Sequence, residues 1–204
     1  MRRWFVFLLA LPVLVCANPI NRANAEKYHE WGSQAELAGD YALAEQNFDR
    51  ALWNARMGDV PGSGISLITY NLGRIKGYLC KYDEAEKLLL EALRLEEQES
   101  GPESGLTSMR LFELARLSAA RDRFEEANRY YLRAIPIVRK LDIESADPIG
   151  FAHVLSDFAA VLESLGQDQG AAAANRESEH LRSSHRQRQA AFTPRSYEHS
   201  CPEE

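Results

Sequence analysis

The stretch YALAEQNFDRAL, Tyr41 to Leu52, places an aromatic, a small residue three positions on, a second aromatic four later and an alanine three after that. On a helix this spacing sets Tyr41, Ala44, Phe48 and Ala51 along one face. The spelling returns as YDEAEKLLLEAL, Tyr82 to Leu93, and as FEEANRYYLRAI, Phe124 to Ile135. With Ala171 added, the small residues Ala44, Ala85, Ala127 and Ala171 fall at intervals of 41, 42 and 44 residues. Self-similarity at such a period is the mark of stacked supersecondary units, so the recurring contact is one made again in each repeat of a helical array.

A second set of small residues, Gly32, Gly73, Ala115 and Ala159, lies in the segment preceding each of these stretches. Small side chains on both segments let two antiparallel helices approach closely, with Phe48, Leu89 and Tyr131 expected to plug the gap to the next hairpin. From Glu26 to about His185 apolar residues recur at three and four residue spacing without alternating runs, which reads as helix throughout. Short turns are expected at Gly39–Asp40, Cys80–Lys81, Arg121–Arg123 and Gly166–Asp168. Longer ones are expected at MGDVPGSG, ESGPESG and IESADPIG, with GSG at 62–64 as linker.

These residues resemble the tetratricopeptide repeat. Its first helix carries a large apolar and then a small residue, here Trp31–Gly32, Leu72–Gly73, Leu114–Ala115 and Phe158–Ala159. Its second opens on an aromatic and Ala (Tyr41/Ala44, Tyr82/Ala85, Phe124/Ala127), then a bulky residue and Ala (Phe48/Ala51, Leu89/Ala92, Tyr131/Ala134). The resemblance implies an all-α solenoid of about four hairpins, at residues 25–58, 66–99, 108–141 and 152–185, with a C-terminal capping helix. In the fourth, Asp168, Asn175 and Ser178 replace the aromatic, the plug and the second Ala, as suits a terminal repeat whose outer face meets water. The period exceeds the usual 34 by about eight residues, and in this the chain is similar to kinesin light chains. The repeat domain is placed at 18–192, with 193–204 as a flexible tail.

In this family the first helices line a concave groove that holds an extended peptide or a helix of a protein partner. The resemblance places His29, Tyr70, Asn71, Arg74, Phe112, Glu113 and Arg116 in that groove, with Ser33, Ser156 and Ala160 at its ends. Two aromatics beside two arginines form its centre, a combination suited to large contact area and carboxylate binding. Against it, Tyr70 and Phe112 could simply fill the inner face while the arginines pair with Glu113. Of the clamp that holds a chaperone's terminal carboxylate, only Asn71 fits; His29, Ser33, Met109 and Glu113 do not.

The N-terminus MRRWFVFLLALPVLVCANPIN has two arginines, an uncharged run from Trp4 to Ala17 and then polar residues, which is a secretory signal peptide at 1–17. The run is shorter than the about 20 residues of a membrane-spanning helix. Cleavage is expected after Ala17, with a second candidate after Ala25. Cys16 offers an alternative as the acylated residue of a lipoprotein, and Arg2–Arg3 resembles a twin-arginine signal. Export would place the protein in the bacterial periplasm, tethered to a membrane only if Cys16 is lipidated. There Cys80 and Cys201 could pair or stay as thiols.

The net charge of −6 becomes −8 without residues 1–17, which hold two arginines and no acid; such a chain does not suit nucleic acid. Histidines 29, 153, 180, 185 and 199 show no metal-helix spacing, and no nucleophile elbow, phosphate loop or CxxC is present. The Glu96, Glu97 and Glu99 cluster reads as a solvated helix end, and the arginines after Gly170 as a solvated capping face. The expectation is a binding protein, without catalysis, cofactor or metal.

Overall fold

The computed structural model describes residues 19–191 and Tyr197. Cys16, the cleavage site, His199 and Cys201 lie outside the described residues. The described helices are α1 (Pro19–Leu37), α2 (Tyr41–Met57), α3 (Gly62–Tyr78), α4 (Tyr82–Ser100), α5 (Gly105–Ala119), α6 (Phe124–Lys140), α7 (Ile143–Ala146), α8 (Pro148–Ser164) and α9 (Asp168–Ser184). They pack as four antiparallel hairpins, α1/α2, α3/α4, α5/α6 and α8/α9, each stacked on the next. The helix α9 both completes the fourth hairpin and caps the array.

The small residues do what their spacing requires. A Cβ on Gly32 would lie 2.7 Å from the Phe48 ring, and one on Gly73 2.9 Å from Leu89. Phe48 and Leu89 therefore pack against the first helix of their own hairpin. Tyr131 does span two hairpins, with its ring 6.1 Å from Phe112 and 5.3 Å from Phe158. All three plugs are buried, as are Ala44, Ala51, Ala85, Ala92, Ala127 and Ala134.

Capping fixes several helix starts. The Asp40 Oδ1 accepts from the Leu43 N–H at 3.0 Å, Ser104 Oγ from Thr107 N–H at 3.0 Å, and Asp147 Oδ1 from Gly150 N–H at 2.9 Å. Gly62–Gly64, expected as linker, instead forms the first turn of α3: the Pro61 carbonyl accepts from Gly64 and Ile65, and only Val60 faces the missing Cβ of Gly64. Each hairpin turn holds one left-handed residue at the same place: Gly39, Cys80, Asp122 and Gly166, at φ 78°, 62°, 55° and 67°. This conformation costs a Cβ-bearing residue about 1–2 kcal/mol, and Cys80 and Asp122 both adopt it. Cys80 is disulfide-bonded.

Two polar substitutions differ from their expected roles. Glu96 is fully buried and forms an ion pair with Arg110 at 3.2 Å. Ser178, expected to face water, is also buried; its hydroxyl donates to the Ala152 carbonyl at 2.7 Å. In the second hairpin Ser66 donates to the Ala92 carbonyl at 3.0 Å, the same link with the hydroxyl on the opposite helix. No described helix is long and apolar enough to cross a membrane.

Candidate functional site

The first helices α1, α3, α5 and α8 share one face of the stack, and their polar side chains meet across hairpin boundaries. Between α1 and α3, the Asn71 amide nitrogen lies 3.0 Å from His29 Nε2. With the amide donating, His29 must accept through Nε2 and is therefore neutral. Burial pushes its pKa below the ordinary value, against the opposing pull of Glu36. Arg74 on α3 donates to Glu36 at 2.6 Å and lies 5.4 Å from the Tyr70 ring centroid.

The centre of this face is a carboxylate. Glu113 on α5 is 1% exposed. Its Oε2 accepts from the Tyr70 hydroxyl at 3.2 Å and from Arg116, and lies 3.8 Å from Arg74 Nε. Burial pushes the Glu113 carboxyl up, but the Arg116 and Arg74 charges and hydrogen bonds from Tyr197 and Arg116 outweigh it, leaving the pKa depressed. An ionised acid inside protein is tolerable only with partners of this number and charge. A second buried acid lies behind it: Glu96 accepts from Ser100 at 2.7 Å and from Arg110, whose guanidinium sits 4.2 Å from the Tyr70 ring centroid, and its Oε2 lies 2.9 Å from the Ser66 hydroxyl.

The structure thus brings Tyr70, Arg74, Glu113 and Arg116 into one ion and hydrogen-bond cluster, with His29 and Asn71 paired one hairpin away. Phe112 stands apart from the charges, against Tyr131 and in the wall of a cleft of about 530 Å³. That cleft runs between α5 and α8, past Leu106, Met109, Phe151 and Val154, and reaches Arg116 and Tyr70. Arg116 Nε has no hydrogen-bond acceptor among the described residues. Ser33 bonds its own helix carbonyl at His29, and Ser156 bonds Ser178; Ala160 is exposed.

One member of the site was not among the expected residues. Tyr197, within the segment expected to be flexible, is 2% exposed and donates its hydroxyl to Glu113 Oε1. Its ring lies 5.0 Å from that of Tyr78, which lies 5.1 Å from Tyr41. Burial, followed by the Glu113 charge, raises the Tyr197 pKa well above the ordinary phenol value, so the phenol remains a donor. The sequence held a signal for it: one aromatic in a polar tail, four residues from a cysteine.

A family model for the tetratricopeptide repeat matches residues 65–140. Residues 65–140 are therefore tetratricopeptide repeats. Its fold is similar to that of BtubC (BKLC) from P. vanneervenii, with a TM-score of 0.75 at 21% identity over 84% of this chain and 66% of that one. The repeat protein thus spans just under two thirds of that structure. MamA follows at TM-score 0.61 and 13% identity, covering 81% and 82% of the two chains. A putative kinesin light chain from Podosopora anserina with nearly identical repeats gives 0.56 at 12%, covering 82% and 99%. At such identities the likeness establishes the fold. Comparison with curated proteins finds no match. Tetratricopeptide repeats typically serve as scaffolds for binding other proteins and are generally not catalytic. Among the described residues no cluster of three or more metal-ligating side chains occurs.

Proposed function

We propose that this repeat protein is an exported adaptor of the bacterial cell envelope, which binds an extended peptide or a helix of a protein partner on the face formed by α1, α3, α5 and α8. The cleft between α5 and α8 carries this reading. Its lining is mostly apolar, yet Leu106 and Met109 stand 46% and 43% exposed at its edge and Arg116 closes one end. A partner's apolar side chain would enter between Phe112 and Phe151, while its backbone carbonyls or a carboxylate would face the guanidinium. Export is supported by residues 1–17 and by the Cys80 disulfide, which suits an oxidising compartment. Cleavage after Ala17 would leave α1 whole, whereas cleavage after Ala25 would remove its first turns and the buried Ala25.

Charge reversal at Arg74 or Arg116 would break the pairs of Glu113 and disturb the fold, so the test uses exposed positions. Affinity capture from envelope extracts should compare wild type with a Leu106→Glu, Met109→Glu variant, with circular dichroism confirming equal helicity. Partners lost only from the variant are expected; equal retention would move the working surface off this face. The mass of the mature N-terminus decides the anchoring: a chain beginning at Asn18 is untethered, while an acylated Cys16 makes it an envelope lipoprotein.

A further inference from the structure

Among the described residues, the contacts of Tyr197 all come from the repeats. The floor of its socket is Gly77 on α3, where a Cβ would overlap the Tyr197 ring. The wall is Tyr78, tilted 35° to it at 5.0 Å. Its far end is Glu113 Oε1, aimed at the phenol while Oε2 is held by Arg116 and Tyr70. These three elements select a tyrosine. The missing Cβ admits a ring against the helix backbone, the aromatic wall fits its face, and the charged acceptor stands where only a para hydroxyl can reach. A phenylalanine would fill the same space but leave a buried carboxylate oxygen without its donor, and a phosphotyrosine would bring its charge against that carboxylate.

We infer that this socket is a receptor for an unmodified tyrosine side chain, with Tyr197 as its resident occupant. A partner then docks by presenting a tyrosine in place of Tyr197. The inference deepens the adaptor reading above and rests on it for the existence of a partner; the socket itself is tested without one.

The probe is a synthetic peptide with the sequence of residues 193–204, with serine in place of Cys201 and a fluorophore at its N-terminus, titrated by anisotropy into full-length protein. The Tyr197→Ala variant should bind it, and wild type at least roughly ten-fold more weakly, because its own tyrosine competes. Replacing the peptide's tyrosine by phenylalanine should weaken binding to Tyr197→Ala by roughly ten-fold, the loss of one hydrogen bond to a buried charged acceptor. Adding Gly77→Ala to Tyr197→Ala should abolish binding while leaving the helix intact, since Ala is the better helix former. Circular dichroism and thermal melts establish that each variant folds. A folded Tyr197→Ala protein that ignores the peptide, binds the phenylalanine version equally, or is indifferent to Gly77→Ala would overturn the socket. None of these results depends on export or on the α5–α8 cleft, whose failure is read separately in the capture experiment.

Discussion

The two faces of the stack use the same Arg–Glu chemistry with different consequences. Outside, successive second helices are joined by pairs in partial solvent: Arg56–Glu91 at 2.8 Å between α2 and α4, Arg133–Glu97 between α4 and α6, and Arg139–Glu177 at 2.8 Å between α6 and α9. Inside, Arg110–Glu96 and the Arg74–Glu113–Arg116 group are nearly excluded from water. Exposed pairs contribute about 0–1 kcal/mol each and weaken with salt. A buried charge that loses its partner costs about 3–5 kcal/mol. The outer ladder therefore registers one hairpin against the next at little energetic stake. The inner cluster commits the fold to a particular arrangement of charge, and that arrangement ends in an acceptor for a phenol.

Removing the inner acid should give the largest effect. Glu113→Ala leaves Arg74 and Arg116 without their common counter-ion, and chemical denaturation should show a loss of about 3–5 kcal/mol. The same variant sharpens the comparison by pH. Because the folded pKa of Glu113 is depressed, its contribution is present above the ordinary value near 4.5 and is lost as pH falls through the folded pKa. Wild type should thus destabilise on acidification more steeply than Glu113→Ala; parallel acid limbs would mean that the carboxylate is not ionised in the fold.

An intermediate effect is expected at the close approach within a hairpin. Gly73→Ala places a Cβ against Leu89, and overpacking there should cost about 1–3 kcal/mol despite the better helix propensity of alanine. A thermal melt at or above wild type would show that α3 and α4 can separate without loss. The smallest effect belongs outside. A double-mutant cycle on Arg133→Ala and Glu97→Ala should give a coupling of about 0.2–1 kcal/mol at low salt, lower still at high salt. A coupling of several kcal/mol would erase the distinction between the faces.

The hairpin map was legible because small residues at fixed spacing have one geometric use, and the Cβ distances at Gly32 and Gly73 show that use directly. The cluster was legible as a set of residues but not as a network, since spacing says which side chains share a face and not which are buried together. Glu96 illustrates a signal passed over: it continues the buried stripe Ala85, Leu89, Ala92 at helical spacing, so its place on the helix pointed inward while its charge suggested water. The start of α3 was hidden by Gly-Ser-Gly, whose weak helix propensity is overridden by the Pro61 carbonyl and tertiary packing. Tyr197 was hidden for a different reason: a polar tail has no periodicity to read, and its partners Gly77, Tyr78 and Glu113 lie far away along the chain.

That distance has a consequence for how the molecule is made. Contacts of the inner cluster such as Arg74–Glu36 and Tyr70–Glu113 join residues 38 and 43 apart, within reach of adjacent hairpins as each is completed. Tyr197 and Glu113 are 84 apart. During synthesis from the N-terminus, the second and third hairpins can assemble, and Glu113 can be buried, well before residue 197 emerges. A molecule that folds in this order passes through an interval in which the socket exists and its own tyrosine does not, and it is most open to a competitor during that interval.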